Sequence, residues 1–60
     1  MDLVIYLGRL VYITLKNSYY YSGRVLDADI DGLTILDKNN KRVSLSKDSI
    51  LTIREVGNGY

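Results

Sequence analysis

Cysteine and histidine are both absent from this chain of 60 residues, and so are proline, tryptophan and phenylalanine. Without cysteine there is no disulfide and no thiolate metal site, and without histidine the commonest remaining transition-metal ligand is gone. Ser and Tyr hydroxyls with no evident base beside them are poor nucleophiles, so the expected protein is not an enzyme and carries no catalytic residue and no cofactor. The lack of proline leaves the backbone N–H donors available to strand ladders. Long apolar runs are missing too. None approaches the roughly 18 residues needed to span a bilayer, which predicts a soluble protein with no membrane partner. An excess of one charge is also lacking, since 8 basic residues face 7 acidic ones. A net charge of +1 is not the footprint of a dedicated nucleic-acid binder, so a role of that kind needs local charge. Met1-Asp2 has no basic start of a secretory signal, which predicts a cytoplasmic location.

At this length a folded chain buries only about 60% of the surface its unfolded form exposes, so a lone monomer is marginal and some staple is expected. Cross-links and thiolate or imidazole metal sites having been removed, self-association is the staple left.

What is present reads as short strands. The stretch Tyr19 to Leu36 combines a long β-prone run with an internal glycine and an acidic turn, and it predicts two antiparallel strands joined at Asp29-Ile30-Asp31-Gly32. Gly23 marks the place where the first of them bends or where another backbone comes close. Leu26 with Ala28 suggests a bulge that lets the far end bury the opposite face. Before this hairpin, Val11, Ile13 and Leu15 alternate with Tyr12, Thr14 and Lys16, which predicts a half-buried strand over Leu10 to Lys16. Asn17-Ser18 reads as a two-residue turn, with serine a poor choice where positive φ is wanted. Asp37 to Lys41 is a turn by composition, Arg42 to Leu45 a short strand, and Ile50 to Val56 a fifth. At the N-terminus, Asp2 as a cap, Leu3, Tyr6 and Leu7 at helical spacing and Gly8 as a stop predict one or two helical turns lying on the sheet. Residues 1–56 are expected to form one domain and residues 57–60 a frayed tail.

Few residues look ready for chemistry. Asp27-x-Asp29-x-Asp31-Gly32 matches the first half of an EF-hand calcium loop, but position 12 is Lys38 instead of glutamate and strands flank it, so a hairpin turn with Asp29 accepting backbone N–H bonds is the preferred reading. Tyr19, Tyr20 and Tyr21 suggest a platform for bases, with Arg24 on the face of Tyr20. Alternation opposes that, since Tyr19 and Tyr21 point away from Tyr20, and packing is preferred. Tyr12 reads as a cross-strand partner. Lys38, Lys41 and Arg42 form a basic cluster able to meet a phosphate backbone, although a solvated hairpin is the commoner outcome.

The run Leu7-Gly8-Arg9-Leu10-Val11-Tyr12-Ile13-Thr14-Leu15-Lys16-Asn17-Ser18, followed by Tyr21-x-Gly23-x-Val25 and Asp29, resembles the first Sm motif of Sm-like and Hfq proteins. Leu45-Ser46-Lys47-x-x-Ile50-x-x-Ile53 is similar to the apolar skeleton of the second motif, with the usual Arg and Gly replaced. The resemblance runs from Leu3 to Val56. It implies an all-β fold with a short N-terminal helix, namely a strongly bent five-stranded antiparallel barrel of the Sm-like, SH3-like kind. It further implies a homo-oligomeric ring in which strands four and five of neighbouring copies pair, and single-stranded RNA as the ligand. By the same resemblance the RNA site is an inner rim of Ile30, Asp31, Gly32, Ser46 and Lys47, of which only Lys47 keeps a residue of the Hfq pattern. The stacking aromatic and the base-reading Asn are missing, so base recognition is expected to be weakened or altered. Two other outcomes stay open at this point: a structural ring without RNA, and a monomeric small barrel similar to the C-terminal domain of ribosome-maturation factors, whose hairpin resembles Gly23 to Thr34.

Overall fold

The structure, a computed structural model, describes residues 2–56, so the expected tail over residues 57–60 lies outside the described residues. Five antiparallel strands form one sheet: β1 (Leu10–Leu15), β2 (Tyr20–Ala28), β3 (Gly32–Asp37), β4 (Arg42–Ser46) and β5 (Ile50–Glu55), in the spatial order β4-β3-β2-β1-β5. Every strand foreseen in the sequence is present, to within a residue or so at its ends.

The N-terminal segment is shorter than a helix. Leu3–Tyr6 makes a single 3₁₀ turn in which the Asp2 carboxylate accepts from Val4 N at 3.0 Å, as an N-cap does. The few residues between Asp2 and Gly8, with β-branched Val4 and Ile5 among them, leave no room for an α-helical ladder. Leu3 is buried and Tyr6 packs on the core, but Leu7 is exposed, because the turn ends before it can reach the sheet. Gly8 takes a left-handed φ of 79° there, and its N–H reaches Val25 O at 2.9 Å.

Strand β2 carries the bulge its sequence suggested, with a different consequence. Val25 pairs with Ile35 and Asp27 with Thr34, so Leu26 is the unpaired residue. The extra residue shifts the alternation, leaving Leu26 and Asp27 both outside while Ala28 returns to the same inward face as Tyr21 and Val25. The far end therefore turns Ala28 inward, as the expected bulge allows, but leaves Leu26 outside. Gly23 meets its expected role: a Cβ there would overlap the Leu36 carbonyl of β3.

The β1–β2 and β3–β4 loops use one geometry. Ser18 N donates to Leu15 O at 3.1 Å and Leu15 N to Tyr19 O at 2.7 Å; Asn40 N donates to Asp37 O and Asp37 N to Lys41 O, each at 2.9 Å. These are three-residue loops ending in a left-handed residue, Ser18 at φ 76° and Asn40 at φ 62°. The first is thus one residue longer than the two-residue turn expected from Asn17-Ser18.

The core is a single cluster of Leu3, Val11, Ile13, Leu15, Val25, Leu33, Ile35 and Leu45, with Ile50 and Ile53 packed against it. Inward side chains from both border strands reach one cluster only if the sheet curls. Chain geometry demands the same. A flat sheet would hold β4 and β5 about 19 Å apart, at about 4.8 Å per strand step. The link from Ser46 to Ile50 reaches at most about 14 Å when fully extended, and here Lys47–Ser49 is coiled into a 3₁₀ turn. The sheet therefore curls until the end of β4 lies near the start of β5, yet it stays open, because these two strands do not pair.

Candidate functional site

The residues singled out as a rim converge. Gly32 opens β3 directly opposite Ser46, the last residue of β4, and Lys47 N donates to Asp31 O at 2.8 Å. Ser46 Oγ accepts from Asp48 N at 3.2 Å and so caps the 3₁₀ turn that carries Lys47. Ile30, Asp31, Gly32, Ser46 and Lys47 thus form one corner of the molecule, where the β2–β3 turn meets the β4–β5 connection. Ile30 is a large apolar side chain left 61% exposed.

The turn itself is built by Asp29. Its Oδ1 accepts from Asp31 N at 2.8 Å and from Gly32 N at 3.1 Å, while Asp29 N donates to Gly32 O at 2.9 Å. That is an Asx turn, in which the carboxylate stands in for a backbone acceptor. The Asp27 carboxylate turns to Ala28 N at 2.9 Å. Asp27, Asp29 and Asp31 do not gather their oxygens around a common point, and among the described residues no three acidic or other ligating side chains are grouped to hold a metal ion.

A shallow concavity of about 320 Å³ lies beside this corner, bordered by Asp27, Asp29, Asp31, Thr34, Ser44 and Ser46. Hydroxyls and carboxylates line it together with Ala28, Leu33 and Leu45, with no cation among them. An anionic backbone placed there meets repulsion from three aspartates, and Lys47 is the one cation of the rim set. The corner is well formed as a piece of structure but is electrostatically poor for phosphate.

A second constellation lies on the sheet's outward face. Tyr12 of β1 stacks on Tyr20 of β2, with ring centroids 5.4 Å apart and planes inclined by 15°. From the other flanking strand, the Arg54 guanidinium sits 5.1 Å from the centre of the Tyr12 ring. The strand registers explain this: Tyr12 faces Arg54 directly across β1–β5 and meets Tyr20 on the diagonal across β1–β2. The cross-strand reading of Tyr12 is therefore right, whereas the partner assigned to Tyr20 is corrected. Arg24 instead donates through Nη1 to Gly8 O at 2.9 Å, and the tyrosine–cation contact belongs to Arg54. Alternation within β5 puts Thr52 and Arg54 outward, but only the pairing of β5 with β1 says which ring Arg54 covers.

Lys38, Lys41 and Arg42 are all exposed around the β3–β4 loop, as a solvated hairpin would have them. No helix among the described residues is long and apolar enough to cross a membrane. No protein-family model, no curated protein and no solved structure matches this chain.

Proposed function

We propose that this chain is a ring-forming, Sm-like module that binds single-stranded RNA with altered base recognition. The observation that carries the reading is the strand order β4-β3-β2-β1-β5, which leaves an unpaired border on each side of a curled sheet. Two unpaired borders on one small molecule are an aggregation hazard unless they are covered, and pairing β4 of one copy with β5 of the next covers both in a closed cycle. The resemblance to the Sm motifs implies the same pairing between copies. The curl that completes a barrel in that family is supported by the short link between β4 and β5. Light scattering and native mass spectrometry test the assembly: the expected particle is a whole multiple of the 6.8 kDa subunit. A particle of one subunit would favour the monomeric small-barrel reading. Fluorescence anisotropy with oligo(U) and oligo(A) at low salt tests the ligand, with binding of one or both expected at tens of micromolar protein or below.

One observation favours a second reading, a ring that assembles without RNA. The rim corner carries Asp27, Asp29 and Asp31 around its concavity and no stacking aromatic. A ring of the expected mass that binds neither oligonucleotide would establish that reading.

A further inference from the structure

The outward face of the sheet differs from the rim in both charge and chemistry. The register places Arg54, Tyr12 and Ser22 in one row across β5, β1 and β2, and Thr52, Thr14 and Tyr20 in the next. On the other side, Leu10, Arg24, Leu36 and Arg42 form a row across β1 to β4. Three arginines therefore share this face with two stacked aromatic rings. The nearby carboxylates are occupied: Glu55 is paired with Arg9 at 2.9 Å, and Asp37 Oδ1 accepts from Asn39 N and Lys41 N. Asp27, whose carboxylate accepts from Ala28 N, borders a hollow with Arg42 on this face.

The stack also has an open end. Tyr12 is covered on one side by Arg54 and on the other by Tyr20, whereas Tyr20 is 64% exposed. The reason lies in the pairing. β3 joins β2 only from Gly23 onward, so among the described residues no strand stands beyond Tyr20 to cover the far side of its ring. Next to the stack, two hollows of about 280 and 330 Å³ meet at Val56, one bordered by Tyr12, Arg54 and the Arg9-paired Glu55, the other by Leu10, Arg24, Leu36, Asp37 and Lys38. A flat π-face with an empty side, cations spaced along the same surface and apolar floor between them are what a base and its flanking phosphates require.

We propose that single-stranded nucleic acid binds across this outward face, with a base extending the Tyr12–Tyr20 stack on the open side of Tyr20 and phosphates running toward Arg24 and Arg42. The inference rests on the reading above that the ligand is single-stranded RNA, and moves its binding surface from the rim corner to the sheet face. Stacking tolerates any base, so little discrimination between U and A follows, and single-stranded DNA binds as well. Border pairing between copies uses the backbone edges of β4 and β5 and leaves these side chains for the ligand.

The test is fluorescence anisotropy with labelled U15, A15 and dT15 on the intact protein at low salt, with the assembly mass measured for every variant. Tyr20→Ala is expected to weaken all three by about fivefold or more, while Tyr20→Phe, which keeps the ring, restores the affinity of the parent. Photocrosslinking with 5-iodouridine RNA is expected to label the peptide containing Tyr20. Unchanged affinity in Tyr20→Ala overturns the proposal. If Lys47→Ala abolishes binding while Tyr20→Ala does not, the ligand sits at the rim, so the sheet-face inference falls and the RNA reading stands. If none of the three oligonucleotides binds the parent protein, both fall together.

Discussion

Ser18 holds a backbone conformation that serine rarely adopts. Its φ of 76° is required because the three-residue loop after β1 ends in the left-handed region, and no side-chain hydrogen bond of Ser18 compensates among the described residues. The left-handed region costs an L-residue roughly 1–2 kcal/mol, and glycine escapes that cost while adding some freedom to the unfolded chain. Ser18→Gly is therefore expected to stabilise the fold by about 0.5–1 kcal/mol, raising Tm by about 2–8 °C in a domain of this size. Circular dichroism melts of the two proteins check it, and a lower Tm in the variant would refute the strain argument. The equivalent loop residue between β3 and β4 is Asn40, which tolerates the same region, so no comparable gain is expected there. Asp29 works in the opposite sense: a carboxylate that resembles a metal ligand in the sequence is spent on two turn N–H groups.

At the scale of elements, β2 decides the shape of the molecule, since it joins the β1 side of the sheet to the β3 side and carries both the bulge and Gly23. A methyl group at Gly23 would be driven into the Leu36 carbonyl, with backbone rather than a flexible side chain as the obstacle. Gly23→Ala must push β2 and β3 apart, at a cost of about 1–3 kcal/mol or more, a large part of what so small a domain has. The expected result is a markedly lower denaturation midpoint and a weakened near-ultraviolet tyrosine signal; a midpoint equal to the parent's would show that the sheet can absorb the methyl. The strands, Gly23 and the Asx turn were legible in the sequence because period-two alternation and turn chemistry are local. The bulge was legible from Leu26 with Ala28, but which residue it leaves unpaired was not: Leu26 itself stays outside while Ala28 packs inward. Leu7 was misread as well: helical spacing promised it a buried face, but a single 3₁₀ turn is too short to deliver one. Gly32 and Asp31 meet Ser46 and Lys47 in space because the β3–β4 register brings the two turns together. The Arg54–Tyr12 contact was invisible, because it depends on pairing residues more than forty positions apart.

For the molecule as a whole, the open question is the fate of the two sheet borders, and the hydrogen-bond parity makes that question answerable. Val56 N donates to Leu10 O at 2.9 Å, so alternation along β5 points the N–H groups of Arg54 and Thr52 at β1 and those of Ile53 and Glu55 at the free border. On the opposite border, Asp37 N to Lys41 O and Lys47 N to Asp31 O fix the parity so that Arg42, Ser44 and Ser46 present theirs outward. Glu55 is exposed, and its ion pair with Arg9 is a surface one that contributes little to stability. Glu55→Pro therefore removes a donor that only a neighbouring copy can use. Its expected outcome is a β-rich circular dichroism spectrum like the parent's together with a particle reduced toward 6.8 kDa by light scattering, most clearly on dilution. Thr52→Pro supplies the contrast, because it deletes a donor directed at β1 and should unfold the chain instead of dispersing it. If Glu55→Pro keeps the parent's multimeric mass, the β5 border is not where copies join, and cyclic pairing of β4 with β5 is wrong even if the protein proves oligomeric.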